Sequence, residues 1–112
     1  VPTYVIVNRV PAGYMGSAEA AAAWTAWFDR LGENLADRGN PVFTRHTLGE
    51  DAGTQLGGYT LVTAENLDAA VALAKDCPML AEGGAVEVGE LTPLNRGTRA
   101  AADVSSTVGE VG

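Results

Sequence analysis

Two helical stripes set among four short β-favouring runs, in the order β-α-β-β-α-β, predict an α+β domain. Its expected core is a four-stranded antiparallel sheet with both helices on one face. Three observations carry this expectation. Ala20, Trp24, Trp27, Leu31 and Leu35 recur at spacings of four, three, four and four. Leu67, Ala70, Val71 and Ala74 recur at i, i+3, i+4 and i+7. Around these stripes, apolar and β-branched residues gather in short runs bounded by Gly, Pro and Asn.

The first strand is expected over residues 3–9, where Tyr4-Val5-Ile6-Val7 is an apolar, mostly β-favouring run. Pro11, Gly13 and Gly16 mark the loop that follows. Ser17 suits the N-cap of the first helix, and Glu19 places negative charge in its first turn. Phe28 sits at the edge of the stripe. The alanines at 20–23 favour helix while supplying little bulk. Gly32 weakens the helix, and Gly39-Asn40-Pro41 reads as its stop.

The second strand is expected over residues 42–48, with Val42, Thr44, His46 and Leu48 sharing a face. Residues 49–53 form an acidic loop. Gln55-Leu56-Gly57-Gly58 leads into a third strand over 59–63. Asn66 caps the second helix, Asp68 and Lys75 complement its dipole, and Pro78 stops it. Gly83-Gly84 turns the chain into a fourth strand over 85–91. After Pro93 the periodicity fails. Residues 1–94 are therefore read as the domain, and 95–112 as a tail that is flexible or docks on a partner subunit.

This order is the ferredoxin-like arrangement. Strand one alternates Tyr4/Ile6 against Val5/Val7, and strand three alternates Tyr59/Leu61 against Thr60/Val62. Both sheet faces are thus apolar. Helices cover one, so the other predicts a homodimer with its sheets face to face. Tyr4, Asn8 and Tyr59 are the candidate ligand-binding residues, lining that open face at the mouth of a cavity. Interface packing is the competing role for them.

Composition bounds the function. The 112 residues suit one domain, and 46% hydrophobic against 19% charged residues is a globular balance. Fourteen acids against seven bases give a net charge of −7. That argues against a nucleic-acid partner, which needs a basic footprint. No apolar run approaches the length of a membrane span. One cysteine, Cys77, excludes an internal disulfide. A free thiol, with no basic and apolar leader in the sequence, points to a cytoplasmic protein.

His46 is the one side chain that ordinarily titrates near neutrality, so it is the candidate acid–base group. Asp51 is a candidate catalytic partner to orient it, with Glu50 beside it. The competing reading is an exposed or structurally hydrogen-bonded imidazole. Cys77 reads as a buried small hydrophobe. Trp24 and Trp27 read as core. The acids are dispersed, so no metal is expected, and no phosphate loop or other cofactor motif is seen.

The stretch Gln55-Leu56-Gly57-Gly58-Tyr59-Thr60-Leu61-Val62, followed by Leu67-Asp68-Ala69-Ala70, Cys77-Pro78 and Gly84-Ala85-Val86-Glu87-Val88, resembles the YCII-related family. Trp24-Thr25-Ala26-Trp27-Phe28 and Gly39-Asn40-Pro41 resemble its first helix and following turn. The resemblance spans about residues 3–94 and implies a ferredoxin-like fold paired into a dimeric α/β barrel. It also implies a small-molecule cavity and, from one known activity, dehydrochlorination of a chlorinated hydroxyquinol. Members of one type use a His–Asp pair. Here the histidine's stretch is Ala20-Ala21-Ala22-Ala23, and Cys77 stands where the aspartate precedes the proline. Two functions are therefore expected. One is a cofactor-free lyase, isomerase or dehydrochlorinase on a polar aromatic or lactone-like compound. The other is a non-catalytic dimeric binding or accessory module.

Overall fold

The computed structural model describes residues 1–50 and 53–94. In chain order it forms β1 (Thr3–Pro11), α1 (Ala18–Leu31), a 3-10 turn (Gly32–Asn34), β2 (Leu35–Asp37) and β3 (Thr54–Thr63). There follow α2 (Leu67–Ala74), a second 3-10 turn (Pro78–Leu80) and β4 (Ala85–Glu90). The strands make one sheet in the order β2-β3-β1-β4, with every pairing antiparallel. This is the predicted ferredoxin-like α+β fold.

Both helices start where the sequence places their caps. The Ser17 hydroxyl accepts from the Ala20 N–H at 3.0 Å, and the Asn66 side chain accepts from the Ala69 N–H at 2.9 Å. Each satisfies one donor that the first helical turn leaves without a partner. The helices bury Trp27, Leu31, Ala70 and Ala74 against Tyr4, Ile6 and Val62 of the sheet. Trp27 is 1% exposed, and its Nε1 donates to the Leu73 carbonyl at 3.0 Å. One side chain thus fills the centre of the core and ties α1 to α2 with its polar end satisfied.

The second strand is a correction. It is Leu35–Asp37, not residues 42–48. Helix α1 does not run on through Leu35 to the Gly39 stop. It ends at Leu31, because Gly32 takes a φ of +52° that redirects the chain. Residues 38–50 form no strand among themselves. They make a strap beside β3, held by a Pro41–Gly58 bridge and by Val42 N–H donating to the Gly57 carbonyl at 3.0 Å. Arg45 clips the strap down. Its Nε donates to the Leu56 carbonyl at 2.8 Å, its Nη1 to Gln55 Oε1 at 3.0 Å, and its Nη2 to the Val42 carbonyl. The third strand starts earlier than expected, at Thr54.

The assignment of sheet faces is also corrected. Tyr4 and Asn8 lie on the helix-covered face, not the open one, and both are buried. They share it with Thr60 and Val62, since Ile6 pairs with Thr60 and Tyr4 with Val62. Alternation could not orient β1, because both of its faces are apolar. The open face carries Val5 paired with Leu61 and Val7 paired with Tyr59. The tail at 95–112 lies outside the described residues. Among the described residues, no helix is long and apolar enough to cross a membrane.

Candidate functional site

A cleft of about 690 Å³ opens between α1, the β1–β3 pair and the strap. That volume is in the range of small-molecule sites. Asn8 and Val10 of β1 and Gly57, Gly58 and Thr60 of β3 line it on the sheet side. Trp24 and Phe28 of α1 line it on the helix side, and Arg38 to Arg45 close it along the strap.

The sequence makes this cleft by withholding bulk. Helix α1 presents Ala20 and Ala21 at the end where a large residue would fill the space. On the sheet, the β1–β3 register slips at Asn8/Arg9, so that Asn8 faces Gly58 and Arg9 faces Leu56. Gly57 is the extra residue of this bulge. A Cβ there would stand 2.5 Å from Asn8 Oδ1 and 2.6 Å from Val10 Cγ1. Only glycine leaves the Asn8 carboxamide its place.

Two polar side chains are buried in the sheet at this point, and they differ. The Thr60 hydroxyl donates to the Arg38 carbonyl at 3.1 Å and so anchors the strap. Asn8 is 7% exposed, yet among the described residues its side chain has no hydrogen-bond partner. A carboxamide offers two donors and an acceptor. Leaving such a group buried and unpaired costs roughly 1–3 kcal/mol. Asn8 thus presents an amide without a protein partner at the wall of a cleft.

The opposite wall is aromatic. Trp24 meets Trp27 edge-on at 5.5 Å between centroids, and Trp24 and Phe28 lie 5.8 Å apart. The Arg38 guanidinium carbon sits 4.5 Å from the Phe28 ring centroid, a cation–π stack. Near the same cleft, burial and then the Glu82 carboxylate hold the Tyr14 phenol above its ordinary pKa.

Of the residues singled out by sequence, Asn8 lines this cleft from the covered face, and Tyr59 borders it from a β3 position that alternates to the open face. The Tyr59 hydroxyl accepts from Asn40 Nδ2 at 3.2 Å, which joins it to the strap. Tyr4 does not line the cleft. It is core, and its hydroxyl donates to Glu90 Oε1 at 3.4 Å. His46 is exposed on the strap and is not part of the lining. Asp51 lies outside the described residues. Cys77 is buried away from the cleft, and burial pushes its thiol pKa up, against nucleophilic use. Trp24, Phe28, Arg38 and Tyr14 were missed as site residues. The first two fall on a stripe whose spacing signals core, and only the neighbouring alanines hinted at a gap. Among the described residues, no group of His, Cys, Asp or Glu could hold a metal ion.

The domain is thus a ferredoxin-like α+β sheet with a bulged central pair and a cleft beside it. Residues 3–95 match the YCII-related domain family, and the chain belongs to it. No curated protein matches the sequence. Among solved structures, the chain is similar to 5-chloro-2-hydroxyhydroquinone dehydrochlorinase (TftG) from Burkholderia phenoliruptrix AC1100, in complex with 2,5-dihydroxybenzoquinone. The TM-score is 0.60 at 20% identity, covering 80% of this chain and 93% of that one. At that identity the likeness is one of fold.

Proposed function

We propose that this protein binds a small, planar, polar aromatic compound of the hydroquinone or hydroxyquinone type in the cleft between α1, the β1–β3 pair and the strap. The observation that carries this reading is the buried, unpartnered Asn8 carboxamide. A ligand oxygen or hydroxyl would supply the missing partner, while Trp24 and Phe28 supply apolar surface for a ring. The compound that accompanies the similar dehydrochlorinase is of the same chemical type. We further propose that the protein works as a homodimer joined through the open sheet face.

Calorimetric titration of the full chain with 2,5-dihydroxybenzoquinone tests the reading, with Asn8→Leu as the comparison. The expected result is saturable binding that Asn8→Leu weakens on the order of tenfold or more, from the loss of one to two hydrogen bonds. The variant should fold as well as the parent or better, because it removes an unpaired buried amide. Unaltered binding by Asn8→Leu would remove the cleft from consideration.

A second reading, a binding module without turnover, is favoured by one observation. Among the described residues lining the cleft there is no carboxylate, imidazole or thiol. Acid–base chemistry there would fall to the lining phenols, Tyr14 first and Tyr59 beside it. Chloride release from 5-chloro-2-hydroxyhydroquinone decides between the two. Release that Tyr14→Phe abolishes supports an enzyme, and binding without release supports the module.

A further inference from the structure

The charges of the cleft are the reverse of those of the chain. The protein has fourteen acidic residues against seven basic ones. Yet among the described residues lining the cleft, the only charged side chains are Arg38 and Arg45. Arg45 is committed to the strap by its three hydrogen bonds. Arg38 is not committed. Its guanidinium is stacked on Phe28, and among the described residues it has neither a carboxylate partner nor a side-chain hydrogen bond. Stacking fixes the plane of the guanidinium while leaving its edge donors free, which suits paired hydrogen bonds to an oxyanion.

We infer that the ligand is a planar aromatic anion, with Arg38 as its specificity-determining counter-charge and Asn8 as its neutral anchor. This rests on the cleft reading above. In a chain of net charge −7, an anion is repelled at long range. A site for one therefore requires a local cation and no lining carboxylates, and that is the set found. The Asn8 N–H₂ is a donor as well, so the two polar groups without partners both serve an acceptor-rich ligand. Ionised hydroxyquinones and aromatic carboxylates share this chemistry.

The experiment is calorimetry on the full chain at neutral pH and low ionic strength with three probes. These are 2,5-dihydroxybenzoquinone, which is ionised because each hydroxyl is conjugated to a carbonyl, 2,5-dihydroxybenzoate and neutral hydroquinone. The expected result is that at least one anion binds on the order of tenfold or more tightly than hydroquinone, as for a charge-assisted hydrogen bond. The preferred anion tells the two sources apart. Arg38→Gln should erase the preference, read as the ratio of anion to hydroquinone affinity within the variant, and Arg38→Lys should retain much of it. Added salt should weaken the anion and not hydroquinone. If Arg38→Gln does not fold, the wild-type probe comparison and its salt dependence decide alone. Hydroquinone binding as tightly as both anions, or Arg38→Gln binding them as the parent does, overturns the charge inference. Should hydroquinone binding still be lost in Asn8→Leu, the cleft reading survives that result. If no probe binds, both readings fall.

Discussion

At the scale of single residues, the cleft depends on an atom that is missing. Gly57 sits where a side chain would run into Asn8 Oδ1 and Val10 Cγ1 at 2.5 and 2.6 Å. Gly57→Ala must therefore displace the carboxamide or spread the β1–β3 bulge. Overpacking of that kind costs about 1–3 kcal/mol. The expected outcome is a lower melting temperature together with weaker binding of 2,5-dihydroxybenzoquinone, read by thermal melting and calorimetry on one preparation. Unchanged binding in Gly57→Ala would mean that the Asn8 side chain is not held in place for a ligand. Asn8 itself was legible as a polar residue in an apolar strand. Its face was not, because Tyr4/Ile6 and Val5/Val7 are equally apolar and only the packing of Trp27 and Val62 decides between them.

At the scale of elements, local chemistry announced most of the fold. The Ser17 and Asn66 caps and the apolar run of β1 lie where the sequence puts them, but of the Leu67 stripe only Ala70 and Ala74 are buried, while Leu67 and Val71 are exposed. The second strand escaped for a physical reason. Leu35 stands four residues after Leu31 and continues the helical stripe in sequence, while a three-residue strand has too few residues to show a period of two. What ends the helix is the conformation of Gly32, and its neighbourhood isolates that effect. A Cβ at Gly32 would meet no atom within 4 Å, so any penalty is conformational rather than steric. With φ at +52° and ψ at −123°, a combination open to glycine and strained for alanine, Gly32→Ala should cost about 1–3 kcal/mol. A lower denaturation midpoint with an unchanged m-value is the expected signature. An undiminished midpoint would show that the chain tolerates a different exit from α1. The strap was illegible for another reason. Its order comes from Arg45 reaching carbonyls across the gap to β3, a long-range arrangement with no periodic trace in the sequence.

At the scale of the whole molecule, the two faces of the sheet divide the labour. The covered face holds the core and the cleft, so the surface left for association is the one bearing Val5, Val7, Tyr59 and Leu61. These side chains belong to the two central strands, and β2 and β4 flank them on either side. A second copy laid sheet to sheet would cover this apolar patch without touching Asn8, Trp24 or Phe28 on the opposite side. The prediction follows from that separation. The wild-type chain should scatter light as a dimer at micromolar concentration. Val7→Asp, which buries an unpaired carboxylate at the centre of the paired sheets and beside Glu87 of β4, should dissociate it to monomers. Binding in the cleft should persist in the monomer, because Val7 projects from the other face. A wild-type monomer would dismiss the proposed interface. Dissociation of Val7→Asp with simultaneous loss of ligand binding would show instead that the partner subunit completes the site.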